Sequence, residues 1–304
     1  MNKVLVILGP TCVGKTQVSL KVADILNGEI VSFDSRQVYR FMDIGTAKPT
    51  NEERKRVPHH LVDLVLPDQR FNAADFSIRA REIIDGIIER DKQPIAVGGS
   101  GLYLKALIEG FFQGPPANPD IRERLNREAQ EQGEPHLYNR LKLVDPKAAE
   151  RIHPHDLIRI VRALEVFEIT GKPITTWQLE GNYEPFPVRF IKIGLSLERS
   201  RLYQRIDRRV EEMFTKGLLD EVKSLKEKEY APSLKAFRTV GYQELFSCLD
   251  GKLEILEAKD RIKLNTRHYA KRQMTWFGRD REIMWMDVTD KDLINRILQH
   301  FEQN

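Results

Sequence analysis

Apolar residues fall along this 304-residue chain in two alternating rhythms. Short, nearly unbroken apolar runs such as Val4-Leu5-Val6-Ile7-Leu8 and Pro94-Ile95-Ala96-Val97 read as strands covered on both faces. Between them, apolar positions recur every three or four residues. Val18, Val22, Ile25 and Leu26 form one such stripe. Phe76, Ala80, Ile83, Ile84, Ile87 and Ile88 form another, behind Asn72 as a helix cap. The pattern predicts strands at 4–8, 29–33, 59–64, 94–97, 190–195 and 283–286, with a closing helix over 293–301. Strands alternating with helices predict an α/β fold with a parallel sheet flanked by helices.

The alternation stops after Gly110. Gly114-Pro115-Pro116-Ala117-Asn118-Pro119 reads as a linker. From Asp120 to about Ile169 the chain is charged and helical in period, with no strand, and Pro146 and Pro154 divide it into several helices. Arg159, Arg162 and Glu165 share one face at spacings of three, against an apolar side of Leu157, Ile160, Val161 and Leu164. Gly171-Lys172-Pro173 ends this stretch. The expected organisation is a core domain from 1–113 and 188–304, interrupted by a helical insertion domain at 114–187.

Composition narrows the class. Apolar residues make up 41% and charged residues 31%, as in a globular protein, and no apolar run approaches transmembrane length. No signal peptide is visible before the first strand. Cys12 and Cys248 lack metal-ligand spacing and suggest a reducing compartment, so a cytoplasmic protein without a membrane partner is expected, by default a monomer. The net charge of +4 is mild, but its distribution is uneven. Residues 259–281 carry eight basic side chains against two acidic ones, with Tyr269, Trp276 and Phe277 among them. That mixture suits a nucleic-acid backbone with exposed bases, or equally a solvated helix whose aromatics face a core.

The chemistry is most legible at Gly9-Pro10-Thr11-Cys12-Val13-Gly14-Lys15-Thr16, which fits G-x-x-x-x-G-K-[ST] between a strand and a helix. Glycines let the backbone curl so that several N–H groups converge on one anion, and the helix N-terminus adds positive potential. Lys15 brings a full charge, and the Thr16 hydroxyl can ligate Mg²⁺. The sheet is thus of P-loop type, and the loop is expected to hold a diphosphate or triphosphate. Asp34 follows the second strand, at the usual crevice of a parallel sheet, and is expected to face the same cavity. Gly98-Gly99-Ser100-Gly101 makes a second glycine-rich turn from strand to helix, serving either an anion or only a tight connection. His59 and His60, adjacent on a strand, would point to opposite faces and make a poor metal pair.

The order of GPTCVGKT (9–16), DSRQVYRFMDIGTAKP (34–49), PHHLVDL (58–64), GGSGLYLKAL (98–107), IHPHDLIRIVRALEVFEITGKP (152–173), FRTVGYQEL (237–245) and TRHYAKRQMTWF (266–277) resembles the tRNA dimethylallyltransferases, from Val4 to about Phe277. The resemblance implies transfer of a dimethylallyl group from dimethylallyl diphosphate to N6 of an adenosine beside the tRNA anticodon, position 37, with Mg²⁺ as cofactor. It implies Asp34 as general base, and Thr11, Lys15 and Arg238 on the diphosphate. It further implies tRNA contacts at Asp34, Ser35, Arg36 and Gln37, at Ile158, Arg159, Ile160, Val161 and Arg162, and at Ser100 and Arg122. Ser100 stands where the family usually has Thr, keeping the hydroxyl and losing a methyl. The insertion and the basic stretch would together grip the anticodon stem–loop. Eukaryotic relatives often carry a zinc-finger extension; a chain ending at Asn304 resembles the bacterial form. The rival readings are a small-molecule P-loop kinase, an adenylate isopentenyltransferase and a non-catalytic RNA-binding module.

Overall fold

The computed structural model describes residues 2–111, 114–180 and 185–304; residues 112, 113 and 181–184, at the expected borders of the insertion, lie outside them. The chain divides into two compact units, one formed by Met1–Glu109 with Pro185–Asn304 and the other by Gly110–Glu184.

The first unit runs β1 (Lys3–Leu8), α1 (Lys15–Leu26), β2 (Gly28–Ser32), α2 (Asn51–Arg56), β3 (His59–His60), α3 (Ala73–Glu89), β4 (Gln93–Gly98) and α4 (Gly101–Glu109). The second unit holds α5 (Pro119–Gln132), α6 (Glu134–Val144), α7 (Pro146–Arg151), α8 (Leu157–Thr170) and α9 (Ile174–Glu180). The chain then returns to the first with β5 (Arg189–Ser196), α10 (Arg199–Thr215), α11 (Leu218–Glu227), α12 (Tyr242–Leu249), α13 (Ile255–Phe277), β6 (Met284–Asp287) and α14 (Leu293–Gln303).

Six parallel strands lie in the order β3-β2-β4-β1-β5-β6. β1 is central because Val4 through Leu8 are wholly apolar and wholly buried, which requires cover on both faces. Parallel pairing puts the C-terminal ends of β1, β2 and β4 side by side, so the loops after them (9–14, 33–37 and 99–100) share one edge. Asn72 caps α3 as the sequence predicts, accepting from Ala74 N and Asp75 N while Asp75 returns a bond to Asn72 N.

One expectation needs correction. The strand predicted at 59–64 stops at His60, because Leu61 and Asp63 adopt positive φ (63° and 59°), which a ladder does not tolerate. His59 bonds the Val57 carbonyl and His60 the Glu29 carboxylate, so both serve as hydrogen-bonding residues. As the sequence predicts, Pro146 and Pro154 divide the helices: α6 ends at Val144 and Pro146 starts α7, at the first turn where its missing N–H costs nothing, while Pro154 lies between α7 and α8. A further break, at Gly133, separates α5 from α6.

The second unit packs α5, α6, α7 and α8 around Leu125, Leu137, Leu141, Ile160, Val161 and Leu164. Glu165 is fully buried there. Its oxygens accept from Arg122 Nε (2.8 Å) and Nη2 (2.9 Å), Arg162 Nη1 (2.5 Å) and Asn118 N (2.7 Å), which ties α8 to the N-terminus of α5. Removing one partner of a buried pair costs about 3–5 kcal/mol, and because both guanidinium groups reach solvent we expect about 3 kcal/mol for Glu165→Ala. Hydrogen exchange on the full chain should show α5 and α8 losing that much protection while β1 and β4 keep theirs.

Candidate active site

The phosphate loop is shaped by three residues at positive φ, namely Gly9 (146°), Cys12 (65°) and Gly14 (114°). At Gly9 a Cβ would sit 2.6 Å from the Leu195 carbonyl oxygen, so the loop passes too close to β5 for any side chain. Lys15 opens α1 and its ammonium donates to the Gly9 and Pro10 carbonyls, each at 2.9 Å. Burial pushes its pKa down to about 8, while the Asp34 carboxylate pulls it up and the Arg209 guanidinium lowers it further. The fields of the phosphate loop and of Asp34 therefore act on the same ammonium.

Helix α10 supports this loop from outside the motif. Arg205 Nη1 donates to Val13 O at 2.9 Å, and one turn on Arg209 Nη1 reaches Cys12 Sγ at 3.4 Å. The i, i+4 spacing puts both guanidinium groups on one face. Their stretch reads in sequence only as a charged amphipathic helix. The arginine spacing is the sole signal, and the target is set by packing.

A cavity of about 420 Å³ opens beside the loop. Its wall joins Thr11 and Cys12, Asp34 with Ser35 and Arg36, Ser100, Arg209, Arg238, and Tyr269, Arg272, Gln273 and Trp276 of α13. Asp34 is half-buried; among the described residues its carboxylate has one hydrogen bond, from Arg36 N to Oδ1 at 2.8 Å. Arg36 Nη1 in turn donates to Lys235 O at 3.0 Å. The second glycine turn owes its composition to close approach. A Cβ on Gly99 would meet Gln273 Nε2, and one on Gly101 would meet the Trp276 ring, each at 2.1 Å.

The structure brings Thr11, Asp34, Ser35, Arg36, Ser100 and Arg238 together on this wall. Lys15 sits just behind it, on the Gly9 and Pro10 carbonyls, and Thr16 is exposed at the start of α1. Gln37 turns away, donating to the Thr46 and Ala47 carbonyls and accepting from Ser32 Oγ. In the helical unit, Ile158 is 78% exposed on the first turn of α8. The side chains of Ile160 and Val161 are in the core, which corrects the expectation that they could face a partner. Arg122 and Arg162 are held by Glu165, and Arg162 also donates to Pro115 O. Arg159 projects outward and, among the described residues, is paired only with Asp156, at 3.3 Å.

The basic stretch is also less free than its composition suggests. Lys259 and Lys263 both bind Glu211 at 2.7 Å, Arg261 binds Glu257, and Arg267 binds Asp207. Arg272 lies over the Tyr269 ring, and Lys271 is exposed and forms no ion pair among the described residues.

A glycine-rich loop of G-x-x-x-x-G-K-[ST] form thus heads a parallel sheet, with a carboxylate and several cations around one cavity beside it. A family model described as IPP transferase matches residues 37–280. The chain is 47% identical to tRNA dimethylallyltransferase 2 of Geotalea uraniireducens, covering 98% of this chain and 97% of that one. It is 48% identical to tRNA dimethylallyltransferase 1 of Pelobacter propionicus, covering 99% and 96%. Among solved structures, the full-length tRNA isopentenylpyrophosphate transferase from Bacillus halodurans matches with a TM-score of 0.73 at 41% identity, covering 100% of this chain and 98% of that one. A eukaryotic dimethylallyltransferase acting on tRNA matches with a TM-score of 0.80 at 29% identity, covering 98% and 78%. The chain belongs to the IPP transferase family. Among the described residues no helix is long and apolar enough to cross a membrane.

Proposed function

We propose that this chain modifies tRNA by prenyl transfer, moving the dimethylallyl group of dimethylallyl diphosphate to N6 of the adenosine at position 37, beside the anticodon. The observation that carries this reading is that Thr11 of the phosphate loop and Asp34 open onto one cavity large enough for a five-carbon chain and a base. The N6 lone pair is delocalised into the purine, so the amine is a weak nucleophile. As the C1–N6 bond forms, Asp34 accepts an N6 proton. As the C1–O bond breaks, the electron pair leaves with diphosphate, whose new charge meets Lys15, Arg209, Arg238 and the loop amides. The base must leave the anticodon stack to reach Asp34, as enzymes acting on stacked bases require.

The residues present fit Mg²⁺ bound mainly through the substrate. Thr16 offers a hard oxygen donor at the start of α1. Among the described residues no group of three His, Cys, Asp or Glu is placed to hold a metal, so diphosphate oxygens and water would complete the shell. When bound there, the ion supplies charge neutralisation to the diphosphate. Labelled dimethylallyl diphosphate offered with tRNA, AMP or ATP tests the reading. Label appearing in tRNA supports it, label in AMP or ATP favours the adenylate enzyme, and phosphate release from ATP without tRNA favours a kinase or ATPase.

For RNA binding the ion pairs decide which charges count. Removing a side chain that neutralises one tRNA phosphate should lower the log–log salt slope of affinity by about 0.7–0.9. Lys271→Ala and Arg159→Ala are expected to show that drop. Arg267→Ala is expected to leave the slope unchanged, since Asp207 already neutralises its guanidinium at 2.6 Å. Titrations at several salt concentrations separate the two groups of variants.

A further inference from the structure

We infer that Gln273 is a positioning residue that fixes the leaving-group side of the reaction against the acceptor side. Its side chain is only 6% exposed, although glutamine is usually found at the surface. Oε1 accepts from the Thr11 backbone N–H at 2.8 Å, and Nε2 donates to the Gly99 carbonyl at 2.9 Å. The two partners settle which end is which, because an N–H demands an acceptor and a carbonyl demands a donor. One amide thus joins the phosphate loop after β1 to the glycine turn after β4. Thr11 lies on the first and Ser100 on the second, and both line the cavity.

The close approach is built into the backbone on both sides. Gly99 has no Cβ at the spot Nε2 occupies, and Gly101 leaves room for Trp276, one turn after Gln273 on α13. The Thr11 amide is also committed. With its N–H held by Gln273, Thr11 presents its side chain, not its amide, to the cavity. Transfer between two substrates depends on holding the reacting carbon and nitrogen at near-attack distance, and an error of 1 Å can cost about 10²-fold. A single buried amide spanning the two loops is suited to setting that distance.

This inference rests on the prenyl-transfer reading, which the wild-type assay tests by itself; the variants then test Gln273 alone. Gln273→Met keeps the side-chain length and removes both hydrogen bonds. We expect kcat to fall by about 10²-fold, with the KM values for dimethylallyl diphosphate and tRNA within about threefold of wild type. A packing role alone would instead lower the melting temperature and leave kcat of the folded enzyme near wild type.

Gln273→Glu supplies a second readout. A protonated Glu side chain reproduces the donor and acceptor of the amide; ionised, it faces the Gly99 carbonyl with an acceptor. The charged and titratable groups on the same wall are Asp34, Arg36, Arg209, Arg238, Tyr269 and Arg272, all present in the wild-type control. The ratio of variant to wild-type kcat is therefore expected to fall as pH rises from about 5 to 9, as a partly desolvated carboxyl ionises. A Gln273→Met enzyme with kcat within threefold of wild type would overturn the inference, and so would a Gln273→Glu ratio that stays flat with pH. If Gln273→Met does not fold, the Gln273→Glu ratio decides.

Discussion

Asp34→Asn is expected to lower kcat for prenyl transfer by about 10²–10⁴-fold, the range a positioned general base contributes. Asparagine keeps the shape of the side chain and an oxygen for the Arg36 amide, so the turn after β2 should survive. What disappears is the acceptor for the N6 proton. Affinity for dimethylallyl diphosphate at pH 7 should change little, because the phosphate loop, Arg209 and Arg238 are untouched. The same substitution carries a second, independent signature. The Asp34 charge raises the pKa of Lys15, so its loss should move the alkaline limit of diphosphate binding to lower pH. Single-turnover rates with saturating dimethylallyl diphosphate, together with binding titrations across pH, check both. A variant that turns over at the wild-type rate would remove Asp34 from the chemistry.

Much of this architecture is readable in the chain because the sheet is parallel. Strands covered on both faces are largely apolar, so β1, β4 and β5 announce themselves, and the phosphate loop follows from a motif whose geometry depends on fixed positions. The early end of β3 at His60 was not readable. Leu61-Val62-Asp63-Leu64 has strand composition, but φ at Leu61 and Asp63 is set by tertiary demands, as Lys48 and Arg54 draw the Asp63 carboxylate inward. The site divides the same way. Thr11, Lys15 and Asp34 are fixed by a motif and a strand end. Arg205, Arg209 and Gln273 arrive from helices whose periodicity reports only which face is buried. Charge was least legible of all. The basic stretch on α13 meets its counter-charges on α10, where Glu211 faces Lys259 and Lys263, and Asp207 faces Arg267. A separation of 48 to 60 residues hides those pairs from any local count.

Lys15→Ala is expected to weaken diphosphate binding and to lower kcat by about 10²–10³-fold, the cost of losing one preorganised group at a developing anion. Both parameters should suffer, since the ammonium faces negative charge in the bound substrate and more of it on the departing diphosphate. The pH dependence follows from the depressed pKa. In the free protein the ammonium is costly to bury, so the folded state holds its proton less tightly than the unfolded chain does. The charged lysine therefore lowers stability below about pH 8, and its contribution recovers as pH rises from about 8 towards the ordinary 10.5. Diphosphate reverses the balance by offering the ammonium a partner. Affinity for dimethylallyl diphosphate should accordingly hold up to about pH 8 and then fall, by at most about tenfold per pH unit. Lys15→Ala should lack that alkaline limb. Lys15→Arg, whose charge does not titrate, should also lack it while binding more tightly than Lys15→Ala. Calorimetry in buffers of different ionisation enthalpy measures the proton directly, with uptake expected on binding to the wild type above pH 8 and none to either variant. A wild-type titration that is flat from pH 7 to 9.5 would mean that the Lys15 ammonium does not contact the diphosphate.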